Sequence, residues 1–254
     1  MCKRLLLSIF FVTSISGKGF SAPHSECPSA EYLGATYRVS ETIRDGGYNE
    51  HKVELNRNFS LWRKANEVAH VDKEKSITEI WNVTRHGFVR PVRYFDKDKR
   101  AIEYQPTEIN NGKGDKDWSL KFQLVSDGLL ERMTLKEKLG TGCDRVEHYT
   151  FEDKLKKMTM SLAWLPEYKL MKSYARQYKN AEIRWTLDKI ETDRALVLHE
   201  FSLRQAYKTT DYADIGDNES DPFLRRMIHL GFIEHGASGF YDAKGNTLKG
   251  GHQH

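Results

Sequence analysis

The sequence predicts a mainly β protein: a curved antiparallel sheet, or an open or closed β-barrel-like domain, with two α-helices at its C-terminal end. Three observations predict it. Apolar residues recur with a period of two in many short runs, as in Met158, Met160, Leu162 and Trp164, and side chains alternate faces only in a strand. Turn-forming residues punctuate those runs along most of the chain. Clear helix start and stop signals appear only near the end.

Taken in order, residues 1–22 read as a secretory signal peptide, with Lys3 and Arg4 ahead of the apolar run Leu5 to Ile15 and small residues up to Ala22. That run is too short to span a membrane, which takes about 20 residues. Residues 23–210 form the β-rich domain. Ala35, Tyr37 and Val39 mark a first strand, and Asp45-Gly46-Gly47 a turn. Val53 and Leu55, then Phe59, Leu61 and Trp62, mark two short segments separated at Asn56 to Asn58. Ile77, Trp81 and Val83, then Phe88 to Phe95, then Ile102 and Tyr104, predict two or three antiparallel strands over Ser76 to Gln105, with Pro91 calling for an edge or a bulge. Trp118, Leu120, Phe122 and Leu124 alternate as another strand, and Asp127 to Arg132 forms a helical turn. Met133 to Leu139 and Cys143 to Phe151 pair across Gly140-Thr141-Gly142. The Met158 strand, Tyr168 to Tyr178, and Ile183, Trp185 and Leu187 complete the series.

Asp193 caps a helix from Arg194 to about Ala206, with Leu196, Leu203 and Tyr207 as its buried face. Residues 211–254 form an acidic turn, a short helix and a flexible tail. Asp221 as N-cap, Pro222 at the first helical position and Gly231 as the stop define that helix, with Phe223, Met227 and Leu230 as its apolar stripe and Phe232 folding back on Met227. Sheets of this length curl or close to hide their edges. In this strand pattern the chain is similar to the half-barrel carriers that sort lipoproteins across the bacterial periplasm.

Composition narrows the function classes. The chain is 11% aromatic and 30% charged, enough for a core beneath a well-solvated surface. The formal charge of +4 includes Lys3, Arg4 and Lys18 of the leader, which carries no acid. Without those three of the 40 basic residues, 37 face 36 acidic ones, so no global field recruits nucleic acid or an anionic membrane. Export leaves Cys27 and Cys143 in an oxidising compartment, where they pair as a disulfide.

No catalytic signature is present: no Walker loop, dinucleotide fingerprint or His-Glu-x-x-His. Gly236-Ala237-Ser238-Gly239 matches a nucleophile elbow only in letters. An EF-hand started at Asp211 places Gly216 correctly but puts Ala213, Ile215 and Pro222 at ligand positions. Asn58, Asn82 and Asn218 open formal glycosylation sequons. No cofactor is implied. Trp81, Trp118, Trp164 and Trp185 are candidates to line an apolar pocket, and His229, His235, His252 and His254 are candidate metal ligands. The leading expectation is an exported, periplasmic or secreted, non-enzymatic protein that binds a hydrophobic small molecule, lipid or acyl chain in a curved sheet. The alternatives are a metal-handling accessory protein and a structural or interaction module.

Overall fold

The computed structural model describes residues 27–44, 52–109, 114–218 and 220–230. The expected leader, Asp45 to Gly47, Gly231, Phe232, the elbow-like residues 236–239, and His235, His252 and His254 lie outside them.

Half of the structure is strand, in one curved, twelve-stranded sheet that does not close on itself among the described residues. The strands are β1 (Tyr32–Arg44), β2 (Lys52–Lys64), β3 (Glu67–Asp72), β4 (Ile77–Val83), β5 (Val89–Phe95), β6 (Arg100–Glu103), β7 (Thr134–Leu139), β8 (Val146–Asp153), β9 (Met158–Leu165), β10 (Leu170–Tyr178), β11 (Ala181–Glu191) and β12 (Lys208–Asp211). Their spatial order is β12-β6-β5-β4-β3-β2-β1-β11-β10-β9-β8-β7. Two meanders, β2–β6 and β7–β11, are thus joined side by side through β1. Every pairing is antiparallel except β12 on β6.

Four helices accompany the sheet: α1 (Trp118–Gln123), α2 (Asp127–Arg132), α3 (Arg194–Ser202) and α4 (Pro222–His229). On one face, Leu33, Ala35, Tyr37, Phe59, Leu61, Leu162, Ile183 and Trp185 build the main core with Leu124, Val125, Leu129 and Met133 from the α1–α2 segment. At the β4–β6 end, Ile77, Trp81, Phe95 and Ile102 pack with Phe223, Leu224 and Met227 of α4. On the other face, Val197 and Phe201 of α3 cover Ala69 and Ile80, with Trp62 and Tyr94 alongside.

Several expectations are corrected. Residues Trp118 to Leu124 form no strand. Asp117 Oδ1 accepts the Leu120 N–H at 3.0 Å, and Leu124 stops the helix in the left-handed region at φ 64°. A capped turn outweighs alternation when a short helix is apolar on more than one side. Asn56 to Asn58 do not interrupt β2, which runs unbroken along β1. The buried face of α3 is Val197 and Phe201; Leu196 and Leu203 are exposed, and the helix ends at Ser202. In α4, Asp221 caps at 2.8 Å and Phe223 and Met227 are buried as expected, but Leu224 completes the stripe and Leu230 is exposed. Pro91 sits one residue beyond the β5–β6 ladder, where its carbonyl still accepts the Tyr104 N–H.

Cys27 and Cys143 are bonded, with Cα atoms 5.4 Å apart across a separation of 116 residues. The bond ties the chain ahead of β1 to the turn joining β7 and β8. A second constraint is steric: a Cβ at Gly34 of β1 would lie 2.4 Å from the ring of Trp62, its cross-strand partner on β2.

Two stability predictions follow from this frame. The Cys27→Ala/Cys143→Ala pair is expected to lose about 3–4 kcal/mol in urea unfolding, since loops near 100 residues set a ceiling of about 4–5. Gly34→Ala is expected to cost about 1–3 kcal/mol by displacing the Trp62 ring. Gly34→Ala added to Trp62→Ala should cost much less than on the wild type, and full additivity would reject the clash.

Candidate functional site: the roofed concave face

The register places one apolar face of the sheet inward. Leu33, Ala35, Tyr37 and Val39 of β1 stand beside Arg63, Leu61, Phe59 and Arg57 of β2, and β11 adds Trp185 and Ile183 on the other side. Tyr37 and Phe59 meet Trp185 edge-on, at 5.8 and 5.1 Å between ring centres. Helices α1 and α2, six residues each, lie over this face as a roof. Between the roof and β10–β11 an apolar cavity of about 20 Å³ remains, bordered by Leu124, Val125, Leu129, Met171, Tyr174 and Trp185. It holds roughly one water-sized sphere, and such apolar spaces stay dry.

The outer side of α1 borders a second space. An open cleft of about 650 Å³ lies between Asn66 at the β2–β3 turn, Lys116, Trp118, Phe122, Gln123 and Lys169. Helix α1 is therefore a partition: Leu120 and Leu124 face the closed apolar side, and Trp118 and Phe122 face the open one.

The roof is fastened by buried polar groups. Arg63 is fully buried. Its Nε donates to the Phe122 carbonyl at 2.6 Å, Nη1 to Ala30 at 3.1 Å and Tyr168 at 2.6 Å, and Nη2 to Lys169 at 2.6 Å. Its guanidinium also stacks over the Phe122 ring at 4.1 Å. Burial pulls it down to about 9, with the nearby Tyr37 opposing, so it stays charged at neutral pH. One residue earlier in α1, the Lys121 carbonyl lies 2.8 Å from His70 Nε2. Burial pushes His70 down to about 3, and the charges of Lys121 and Arg63 act in the same direction. The imidazole is thus neutral, and because a carbonyl only accepts, Nε2 carries the proton. Lys121 Nζ lies 3.3 Å from Asp115 and 4.0 Å from the centre of the Trp81 ring.

Beside this fastening, His70, Glu79 and Arg93 form one cross-strand row over β3, β4 and β5. Arg93 Nε and Nη2 donate to Glu79 Oε1 at 2.9 and 2.6 Å. The row starts beside Leu61 of the core beneath α1–α2 and ends beside Ile102 of the core beneath α4, with Ile77 and Trp81 of that second core on either side of Glu79.

The four candidate tryptophans do not line one pocket. Trp81 and Trp164 are core residues, Trp185 borders the closed cavity, and Trp118 borders the open cleft. Of the candidate metal ligands only His229 is described, exposed at the end of α4. No group of three His, Cys, Asp or Glu residues suited to a metal ion occurs among the described residues. The acidic stretch serves chain geometry: Asp211 accepts the Ala213 N–H, and Asp221 caps α4 and pairs with Arg100 at 2.9 Å, which holds its carboxyl below the usual range. Asn58 and Asn82 both sit within strands, hydrogen-bonded to Glu74 and Glu67.

The residues that sequence reasoning missed are Arg63, His70 and Lys121. A signal was present. Arg63 follows Phe59 and Leu61 at the same strand period, and His70 follows Val68, so both are polar residues at inward-facing positions.

No helix among the described residues is long and apolar enough to cross a membrane. No family model matches the chain, and no curated protein does. Among solved structures it is similar to a putative outer membrane lipoprotein-sorting protein domain from Vibrio parahaemolyticus, at 6% identity and a TM-score of 0.34 over 70% of this chain and 93% of that one. It is also similar to a β-barrel-like protein of a domain of unknown function from Brucella abortus, at 10% identity and a TM-score of 0.24 over 65% of this chain and 99% of that one. At these scores the likenesses carry no functional argument.

Proposed function

We propose that the protein is an exported, non-enzymatic carrier that takes a lipid or acyl chain beneath the α1–α2 roof. The observation that carries the reading is the roof itself: two short helices over a continuous apolar face, held by contacts to their backbone, with a small apolar cavity already beneath them. The disulfide Cys27–Cys143 suits an oxidising compartment.

The energetics favour exchange over permanent closure. Lifting the roof uncovers Leu120, Leu124, Val125 and Leu129, which lose about 1.5–3 kcal/mol each. A saturated chain of a dozen or so carbons returns about 0.8 kcal/mol per buried methylene. The two sums, near 6–12 and near 10 kcal/mol, are close enough for the chain and the roof to compete for one surface. Arg63 biases that competition without contacting the cavity, because its bond to Phe122 exists only when α1 is down.

Native mass spectrometry of the protein from its own exported fraction should show a bound mass of several hundred daltons that leaves on activation. A bare polypeptide mass would reject the carrier reading. Arg63→Met keeps the volume and removes the fastening. It is expected to cost the closed state about 3 kcal/mol and so to speed hydrogen exchange of the α1 amides roughly a hundredfold. Unchanged exchange there would mean that Arg63 does not hold the roof.

His70 sets the acid limit. Its folded value near 3 lies below the unfolded value of about 6.5, so the unfolded chain binds the extra proton between them. Its contribution is complete above pH 6.5 and is lost as pH falls, at up to about 1.4 kcal/mol per pH unit down to pH 3. Urea titrations at pH 7, 6, 5 and 4 should show that slope, and His70→Gln should flatten it.

A further inference from the structure

We propose that the end of the sheet remote from Arg63 is a docking surface for an anionic lipid bilayer, with Leu155 as its inserted side chain. The proposal stands apart from the carrier reading. At that end a single cross-strand row runs through Asp153, Met158, Tyr178, Ala181 and Ile43 on five adjacent strands. It lies on the same face as the buried core, beyond the reach of the helices that cover the rest. Tyr178 and Ile43 are each 40% exposed, and Leu55, one row inward, is 58% exposed.

Leu155 projects further still. It sits in the Lys154–Lys157 turn joining β8 and β9 and is 99% exposed. The turn is held by its own backbone: Lys157 N–H donates to the Lys154 carbonyl, Asp153 accepts the Lys156 N–H at 3.0 Å, and Lys157 adopts φ 50°. A wholly exposed leucine at a braced tip contributes nothing to the core.

Charge selects the occupant. Leu155 is flanked by Lys154, Lys156 and Lys157, all exposed, and Lys179 lies over the Tyr178 ring at 5.1 Å. Arg44 adds a cation on the neighbouring strand β1. The acids nearby are partly neutralised: Asp153 accepts within the turn, and Glu182 pairs with Arg184. Glu41 stands in the row with Leu55, and Glu54 and Glu152 lie on the flanking strands. The turn itself thus sets three lysines immediately around its exposed apolar tip. Lysines beside an apolar insertion match a bilayer whose surface is anionic and whose interior accepts a leucine.

The test uses the disulfide-intact protein and flotation with vesicles. Half the samples contain phosphatidylcholine alone and half phosphatidylcholine with phosphatidylglycerol at about 2:1. The wild type should float with the anionic vesicles and lose binding as salt rises from about 0.05 to 0.5 M. Leu155→Glu, and separately the Lys154→Glu/Lys156→Glu/Lys157→Glu variant, should each weaken binding by at least about tenfold while leaving the melting temperature and any co-purified ligand unchanged. A Leu155→Cys protein labelled with a polarity-sensitive dye should shift to the blue only on anionic vesicles. No flotation at low salt, equal flotation on neutral vesicles, or variants that bind like the wild type would overturn the proposal. So would a dimer that Leu155→Glu dissociates, which would assign the surface to a second copy of the chain.

Discussion

The constraint on which the rest depends is the burial of Arg63. A guanidinium is expensive to remove from water unless its donors are matched, and here four carbonyl oxygens match them. Those oxygens come from three separate segments: Ala30 ahead of β1, Phe122 in α1, and Tyr168 with Lys169 at the β9–β10 turn. One side chain therefore reads whether the N-terminal segment, the roof and the second meander are all in place. Backbone carbonyls carry no net charge, so their bonds to Arg63 can be exchanged for water when α1 lifts, without stranding an anion. A carboxylate partner in the same place would make opening far costlier.

The sheet explains why a roof is needed. Twelve strands with large residues on the inner face make more apolar surface than curvature alone hides. Helices α1–α2 cover the middle and α4 covers the β4–β6 end, and the polar row of His70, Glu79 and Arg93 runs from the first core into the second.

The strand pattern was legible because alternation is local: β4, β9 and β11 all follow rows that can be read from their own residues, while β10 followed from the turn that leads into β11. The α4 cap at Asp221-Pro222 was legible for the same reason. Trp118 to Leu124 was misread because its alternation is incidental and its cap, Asp117, is one residue among several acids. For α3, helix phase is set by what it packs on, and nothing in Arg194 to Ser202 announces that Ala69 and Ile80 are its partners. The fastening at Arg63 and His70 was missed because both bond to backbone oxygens from distant segments, and a carbonyl has no residue type. Its only trace was a polar side chain where the strand period called for an apolar one.

The concave face also gives the molecule a direction. In β1 the inward row begins at Leu33, beside Arg63, and reaches Ile43 ten positions later, roughly 33 Å away along an extended strand. The row is sealed at its start and open to solvent at its end, where Ile43 meets the Tyr178 and Met158 row. Half the hydrocarbon thickness of a bilayer, about 15 Å, is the reach of one acyl chain, so the lane is longer than a single chain needs. A chain entering from the open end would reach the edge of the roof before it reached Arg63, and would displace the apolar contacts of α1–α2 before breaking the polar ones. The guanidinium thus sits at the sealed end of the row, at the opposite end of the sheet from the exposed leucine, with Glu41 between Val39 and Ile43 along the way.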